Sequence, residues 1–564
     1  MPRETEHDVA SLIQRFRAKL STPGLLLGTL LFAVSLTPSL LPRDFVLQGI
    51  LSGTSFAIGY GLGAWGGWLW EYMELQLPPG RVSRAIKIAA ALLCILVALV
   101  SLYLNTGWQN SVRKVMDMPP LESAHPINVA LVAIAPALIL IAIGSLIAYG
   151  ISLVSRWLRR FVPQRVAFVL SVLVVGVFTA YLFNGLLLRN ALRAADNFFE
   201  RLDTLQGQMN PTPAPTDPLF SGSSASLVAW DTIGRDGRVY VETGPSKDKI
   251  EEVIGRPAMQ PLRVYVGMRS APTLEQRAQM ALDELKRVGG FSRSVLVVIM
   301  PVGTGWVDPP GIDSLEYLQA GDVASVALQY SYLTSPLSFL IEPTYGTDAA
   351  QALFKAVYSY WTTLPRDSRP RLYLHGLSLG ALSSQGATEL YDVLGDPYQG
   401  ALWAGPPFSS PTWGWATANR QPDSPEWLPR FRNGSSIRFN NQTNAVAKAD
   451  AEWGPMRIVF LQYASDPVVF FSYDALYRRP AWLEGERGPD VSPDLTWYPV
   501  VTFLQLGLDM ALSQTSPIGH GHVYAARDYI DSWVAVVDPP GWDTASLDAL
   551  KEALEPTDAA PRQP

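Results

Sequence analysis

Leu372-Tyr-Leu-His-Gly-Leu-Ser-Leu-Gly-Ala-Leu382 decides how the second half of this chain is read. It opens as an apolar, β-prone run and continues past Ser378 as a helix-compatible stretch, so it reads as a buried strand turning directly into a helix. Gly376 and Gly380 flank the serine two positions away on either side. Glycines there let a strained backbone pass close to its neighbours and leave the hydroxyl on the turn, as a serine nucleophile requires. The bland alternative is a structural serine in a glycine-rich turn. The strand before it and the helix after it favour the nucleophile.

Outward from this turn, short β-branched runs alternate with amphipathic stretches, the pattern of a mainly parallel sheet covered by helices. Strands are expected over Arg263–Gly267, Ser294–Met300, Val323–Leu328, Arg371–His375, Gly400–Ala404 and Arg457–Tyr463. Helices are expected over Leu274–Arg287, Gly311–Gln319, Thr347–Thr363, Ala381–Val393 and Tyr524–Val537. Residues 406–454 break the alternation, with Trp413, Trp415, Trp427 and Trp453 among Pro, Asn and Ser. They read as a lid inserted after a strand.

A serine hydroxyl attacks only when an imidazole takes its proton and a carboxylate holds that imidazole in the right tautomer. Of five histidines, His7 and His125 lie far from the second half, and His375 is on the strand entering the turn, where packing is its expected role. Gly519-His-Gly-His-Val-Tyr524 is a glycine-containing loop just before the last helix. His522, nearer that helix, is chosen as the base, with His520 second. Where a nucleophile occupies such a turn, the acid falls between it and the histidine in chain order. Asp466 in Tyr463-Ala-Ser-Asp-Pro-Val follows a strand directly, with Asp474 and Asp450 as alternatives. Its competing role is a helix N-cap before Pro467. A tetrahedral intermediate needs two amide donors. Leu379 should supply one, and the loop Met300-Pro-Val-Gly-Thr-Gly-Trp the other, through Thr304 or Gly303. No cofactor and no metal is called for, because the histidines are separated and lack a clustered carboxylate.

The first third has a different character. A bilayer core about 30 Å thick is crossed by roughly 20 apolar helical residues. Five windows free of Asp, Glu, Lys and Arg follow in succession: Leu20–Pro42, Phe45–Trp70, Ile88–Val112, Ser123–Ser155 and Val166–Leu188. They predict a transmembrane bundle of about five helices. On the N-terminal side of five crossings lie Arg3, Arg15, Arg17, Lys19, Arg81, Arg84, Lys87, Arg156, Arg159, Arg160 and Arg165; opposite them lie Arg43, Arg113, Lys114, Arg189, Arg193 and Arg201. The excess favours a cytoplasmic N-terminus and a second half outside the cytoplasm.

Composition agrees: 48% of the 564 residues are hydrophobic and 17% charged, against about 25% charged in an ordinary soluble domain. Net charge is −6, which disfavours nucleic-acid binding, since phosphate recognition wants a concentrated basic face. One cysteine, Cys94, excludes an intrachain disulfide. The expected organisation is a cytoplasmic tail (1–19), a transmembrane bundle (20–188), a Pro- and Ser-rich linker (189–226), a catalytic domain (227–540) with its lid (406–454), and a C-terminal tail (541–564).

Gly303-Thr-Gly-Trp-Val-Asp-Pro, His375-Gly-Leu-Ser-Leu-Gly, Ser465-Asp-Pro, Gly519-His-Gly-His-Val-Tyr and Pro539-Pro-Gly-Trp together resemble the bacterial α/β-hydrolases that carry an N-terminal multi-span membrane domain. The likeness covers both halves of the chain. It implies an α/β-hydrolase fold, doubly wound and mainly parallel, behind a membrane bundle in the cell membrane. The residues point to a serine esterase or lipase forming an acyl-enzyme on Ser378, with membrane lipids as surroundings and a lipid or acyl ester of the envelope as substrate. The same acyl-enzyme passed to an alcohol would make an acyltransferase, and without chemistry the chain would be a membrane scaffold.

Overall fold

The computed structural model describes residues 21–75, 80–182, 213–332, 345–388 and 393–555. Outside them lie the expected tail 1–19, the end of the fifth apolar window, most of the linker with Arg189, Arg193 and Arg201, part of the helix expected over Ala381–Val393, and residues 556–564. Contacts divide the chain into two units. One comprises Met1–Gly185, Ser472–Leu483 and Pro489–Met510; the other comprises Leu186–Phe471, Glu484–Gly488 and Ala511–Pro564.

In the first unit the apolar windows form α1 (Thr22–Ser35), α2 (Phe45–Tyr72), α3 (Gly80–Val115), α4 (Pro126–Leu158) and α5 (Gln164–Tyr181). Among the described residues, α2 to α5 are long and apolar enough to cross a membrane by length and composition, and they mark a membrane protein. The first window is not a fifth such helix. Its helix has 14 residues, about 21 Å at ~1.5 Å per residue, because Thr37-Pro38 follows and a residue before proline is driven out of the helical region. The expected orientation, which counted five crossings, loses that premise.

The glycine-rich α2 is one helix of 28 residues. A Cβ at Gly53 would come within 2.2 Å of the Ala133 carbonyl oxygen on α4, and one at Gly63 within 2.3 Å of that of Pro23 on α1. Small residues are therefore the contact points through which these helices approach. Leu92, Leu99, Tyr103, Leu146 and Val177 face outward from α3, α4 and α5, a surface that asks nothing of hydrocarbon.

Irregular backbone beside apolar helices must find its hydrogen bonds inside the protein. For residues 36–44 the helix Val501–Ala511 supplies part of them, beside carbonyls of α1 and the Gln109 side chain on α3. Asp509 Oδ2 accepts from the amides of Leu40 (3.0 Å) and Leu41 (3.4 Å), and Gln505 Nε2 donates to the Thr37 carbonyl (3.0 Å). A stretch from within the expected domain 227–540 thus belongs to the first unit.

The second unit is a seven-stranded, wholly parallel sheet in the order β1-β3-β2-β4-β5-β7-β6. Its strands are β1 (Leu262–Val266), β2 (Val295–Met300), β3 (Val323–Leu328), β4 (Arg371–Leu377), β5 (Gly400–Ala404), β6 (Ile437–Asn440) and β7 (Arg457–Leu461). Every residue of β1, β2, β3 and β5 is buried, the reason such strands read as unbroken apolar runs. A short helix, α6 (Arg235–Glu242), precedes the sheet. Along the chain follow α7 (Leu274–Arg287), α8 (Pro309–Leu318), α9 (Tyr345–Trp361), α10 (Leu379–Gln385), α11 (Pro411–Ala418), α12 (Ala526–Val537) and α13 (Thr544–Ala553). Two helix pairs, α7 with α9 and α8 with α12, pack on the sheet.

Two expectations need correction. The stretch 406–454, expected as a lid, contributes the edge strand β6 and the helix α11, and Trp413 in α11 is buried with its indole N–H on Gln462 Oε1 at 2.6 Å. Residues 541–564, expected as a tail, contain α13, anchored by buried Leu550 and by Lys551 Nζ on Asp531 Oδ1 at 2.7 Å.

Sheet order decides where chemistry can gather. The C-terminal ends of β2, β4, β5 and β7 stand side by side, with Met300 opposite Gly376, Leu377 opposite Ala404, and Ala404 opposite Leu461. Ligands of parallel sheets bind beyond such ends.

Candidate active site

Ser378 stands alone between the last residue of β4 and the first of α10, at φ 56° and ψ −124°. A positive φ is uncommon outside glycine and costs about 1–3 kcal/mol unless the surroundings impose it. Here they do: the Ser378 amide donates to the Ala404 carbonyl (3.0 Å), and its own carbonyl accepts from the Leu382 amide (3.1 Å). The flanking glycines follow from crowding. A Cβ at Gly376 would lie 2.4 Å from the Gly380 carbonyl carbon, and one at Gly380 would lie 2.1 Å from the Met300 carbonyl oxygen. Gly380→Ala is accordingly expected to destabilise the fold by about 3 kcal/mol, because backbone rather than a flexible side chain must give way. Thermal unfolding of the full chain in detergent checks this, and an unchanged melting temperature would contradict the packing.

Beyond β7 the chain reaches Asp466, whose side chain is wholly buried and serves two purposes at once. Oδ1 accepts from the Val468 amide (2.8 Å) and caps the one-turn helix Pro467–Phe470. Oδ2 accepts from His522 Nδ1–H (2.6 Å) and from the Tyr524 hydroxyl (2.6 Å). The capping and acid readings of Asp466 are compatible, each using a different oxygen.

The loop holding His522 is fastened by the Gly521 amide on Ser465 Oγ (2.8 Å) and the His522 amide on the Ser513 carbonyl (3.3 Å). The imidazole is buried and packs against Gly405, where a Cβ would come within 2.5 Å of its Cε1. Gly405 directly follows the carbonyl that holds the Ser378 amide, so imidazole and serine neighbour the same strand end. With Nδ1–H on the carboxylate, Nε2 carries the lone pair, and it has no hydrogen-bond partner. Ser378 Oγ and His522 Nε2 are not hydrogen-bonded here; catalytic bonds are often long before substrate arrives.

His520 is not on the carboxylate; its backbone pairs with Val523 in an isolated bridge. His375 donates Nδ1–H to the Leu402 carbonyl (2.8 Å) and lies against Tyr529 and Trp533. Burial pulls its imidazole down to about 4, leaving it neutral in ordinary buffers. Asp474 accepts from the Tyr477 hydroxyl (2.8 Å), and Asp450 pairs with Arg430 at the surface.

Of the oxyanion candidates, one directly follows the serine and the others lie on the loop after β2. Leu379 is the first residue of α10, where a helix leaves its amide without an internal acceptor. After β2, Gly305 turns the chain at φ 94°, donating its amide to the Val302 carbonyl (2.8 Å). The Thr304 hydroxyl donates to Asp236 Oδ2 on α6 (2.6 Å), Gln329 Nε2 donates to the Thr304 carbonyl (3.0 Å), and the Tyr265 hydroxyl donates to the Gly305 carbonyl (2.7 Å). The loop carrying Gly303 and Thr304 is thus braced from three elements.

Sequence reasoning missed Tyr524, Ser465, Asp236 and Gln329. His522-Val-Tyr524 did carry a signal, since residues two apart on extended chain point the same way. Asp236 and Gln329 reach the loop only through the fold, and nothing local marks them. Among the described residues no group of three or more His, Cys, Asp and Glu is placed to hold a metal ion.

Among protein families, a model described as an alpha/beta-hydrolase family matches residues 262–550, and its N-terminal companion matches residues 36–245. No curated protein and no solved structure matches.

Proposed function

The chain belongs to the alpha/beta-hydrolase family, and from that footing we propose that it is a membrane-anchored serine hydrolase cleaving a carboxylic ester of a lipid or envelope component. The observation that carries this reading is the 2.6 Å bond from His522 Nδ1–H to Asp466 Oδ2 beside a serine at positive φ. It leaves His522 Nε2 as a base and Ser378 Oγ as the nucleophile.

In the reaction, Oγ attacks the ester carbonyl carbon while its proton passes to His522 Nε2. The oxyanion is met by the amide of Leu379 and that of Thr304 or Gly303, each such donor worth about 3–4 kcal/mol in the transition state. Collapse breaks the ester C–O bond, and the leaving alcohol takes the proton from Nε2. Water then attacks the acyl carbon, giving a proton to Nε2, and collapse breaks the acyl C–Oγ bond as Nε2 returns that proton to Ser378 Oγ and the acid departs.

Lipid-derived substrates are favoured by the apolar helices of the first unit, which keep the chain at a membrane, and by Trp415, exposed on α11.

A fluorophosphonate probe tests the reading without knowledge of the substrate. The wild-type chain is expected to be labelled and Ser378→Ala is not. An unlabelled wild type would leave the second unit as a binding scaffold.

A further inference from the structure

We propose that Tyr524 is a positioning residue that holds the Asp466 carboxylate against His522 and limits how readily that imidazole becomes charged. Its hydroxyl donates to the very oxygen, Oδ2, that accepts His522 Nδ1–H, both at 2.6 Å. The Val468 amide occupies Oδ1, so three donors fix the carboxylate from both ends.

Tyr524 cannot drift from this place. It is 3% exposed. Its ring stacks on Tyr463 with centroids 4.5 Å apart and meets His522 and Tyr529 edge-on at 5.8 and 6.3 Å. Tyr463 is anchored in turn: its hydroxyl donates to Asp528 Oδ2 and accepts from the Ala525 amide at 3.0 Å, at the start of α12. Burial, with the Asp466 carboxylate beside it, pushes the Tyr524 phenol well above its ordinary range, so it remains a donor wherever an imidazole titrates.

The direction of the effect follows from the dipole. A hydroxyl hydrogen on the shared oxygen puts positive charge next to the imidazole and draws electron density from the carboxylate that would stabilise imidazolium. Removing it makes the charged imidazole easier to form and lets the carboxylate rotate. Other titratable groups around this cluster, among the described residues, include Tyr463, Tyr529, Asp528 behind Tyr463, His375 beyond Tyr529 at 6.0 Å, and His520 on the same loop as His522. Burial brings Asp528 up to about 6, inside the imidazole's range, so the test must read His522 itself.

The consequence for rate rests on the hydrolase reading; the consequence for the imidazole does not. The experiment therefore takes two measurements on the full chain in detergent, for wild type and Tyr524→Phe: the fluorophosphonate labelling rate against pH, and an NMR titration of histidine-labelled protein with His522 identified by its loss in His522→Gln. Tyr524→Phe is expected to lower the plateau labelling rate by about threefold to tenfold and to move the His522 half-point upward by about half a pH unit. A lowered plateau with identical half-points would make Tyr524 a packing residue only and overturn the proposal. If the wild type is not labelled, the hydrolase reading falls, and the NMR half-points still decide the role of Tyr524.

Discussion

His522→Ala is expected to lower ester hydrolysis by about 10⁶-fold, the loss seen when the imidazole of a serine, histidine and carboxylate unit is removed, while His520→Ala stays close to the wild-type rate. The two imidazoles are separated by a single glycine, so composition and loop position hardly distinguish them. The carboxylate does: Asp466 Oδ2 accepts from His522 Nδ1–H, which leaves Nε2 as a buried lone pair next to the strand end that holds the Ser378 amide. His375 is no substitute, because its Nδ1–H is committed to the Leu402 carbonyl and burial makes it a weak base. Turnover of a chromogenic ester by both variants, with melting temperatures to exclude misfolding, decides the matter. A larger loss at His520 than at His522 would reverse the assignment.

How legible this protein is depends on how far each feature reaches along the chain. Strands such as Val295–Met300 and Val323–Leu328 are covered on both faces, so burial writes itself into every residue. Ile437–Asn440 escaped notice because it is four residues long, pairs only with β7, and places a half-buried Arg438 among Asn- and Ser-rich neighbours. The first apolar window misled for the opposite reason: hydropathy is continuous across Thr37-Pro38, but backbone geometry is not. Gln505 and Asp509 show the limit. Their partners are amides and a carbonyl near the other end of the chain, and no local pattern reports such a pairing. The glycines around Ser378 could be read because a tight turn constrains its immediate neighbours. The brace of Asp236 on Thr304 could not, since it joins elements that the chain itself keeps apart.

Asp466→Asn is expected to lower turnover by about 10⁴-fold with little change in melting temperature, and this pairing of outcomes separates the two jobs of the residue. Asparagine is as good an N-cap as aspartate, so its carbonyl oxygen can still accept from the Val468 amide and the fold at Pro467–Phe470 survives. What changes is the face toward His522. An amide NH₂ there donates where the carboxylate accepted, so Nδ1 must offer its lone pair and the hydrogen moves to Nε2. The imidazole then presents a donor to Ser378 and cannot take its proton, and the charge that would stabilise imidazolium is gone as well. Asp466→Ala, by contrast, loses the cap too and should fall in both readouts, by about 1 kcal/mol in stability. If Asp466→Asn retained both its melting temperature and most of its activity, Asp466 would be a cap alone, and the carboxylate serving His522 would have to be sought elsewhere.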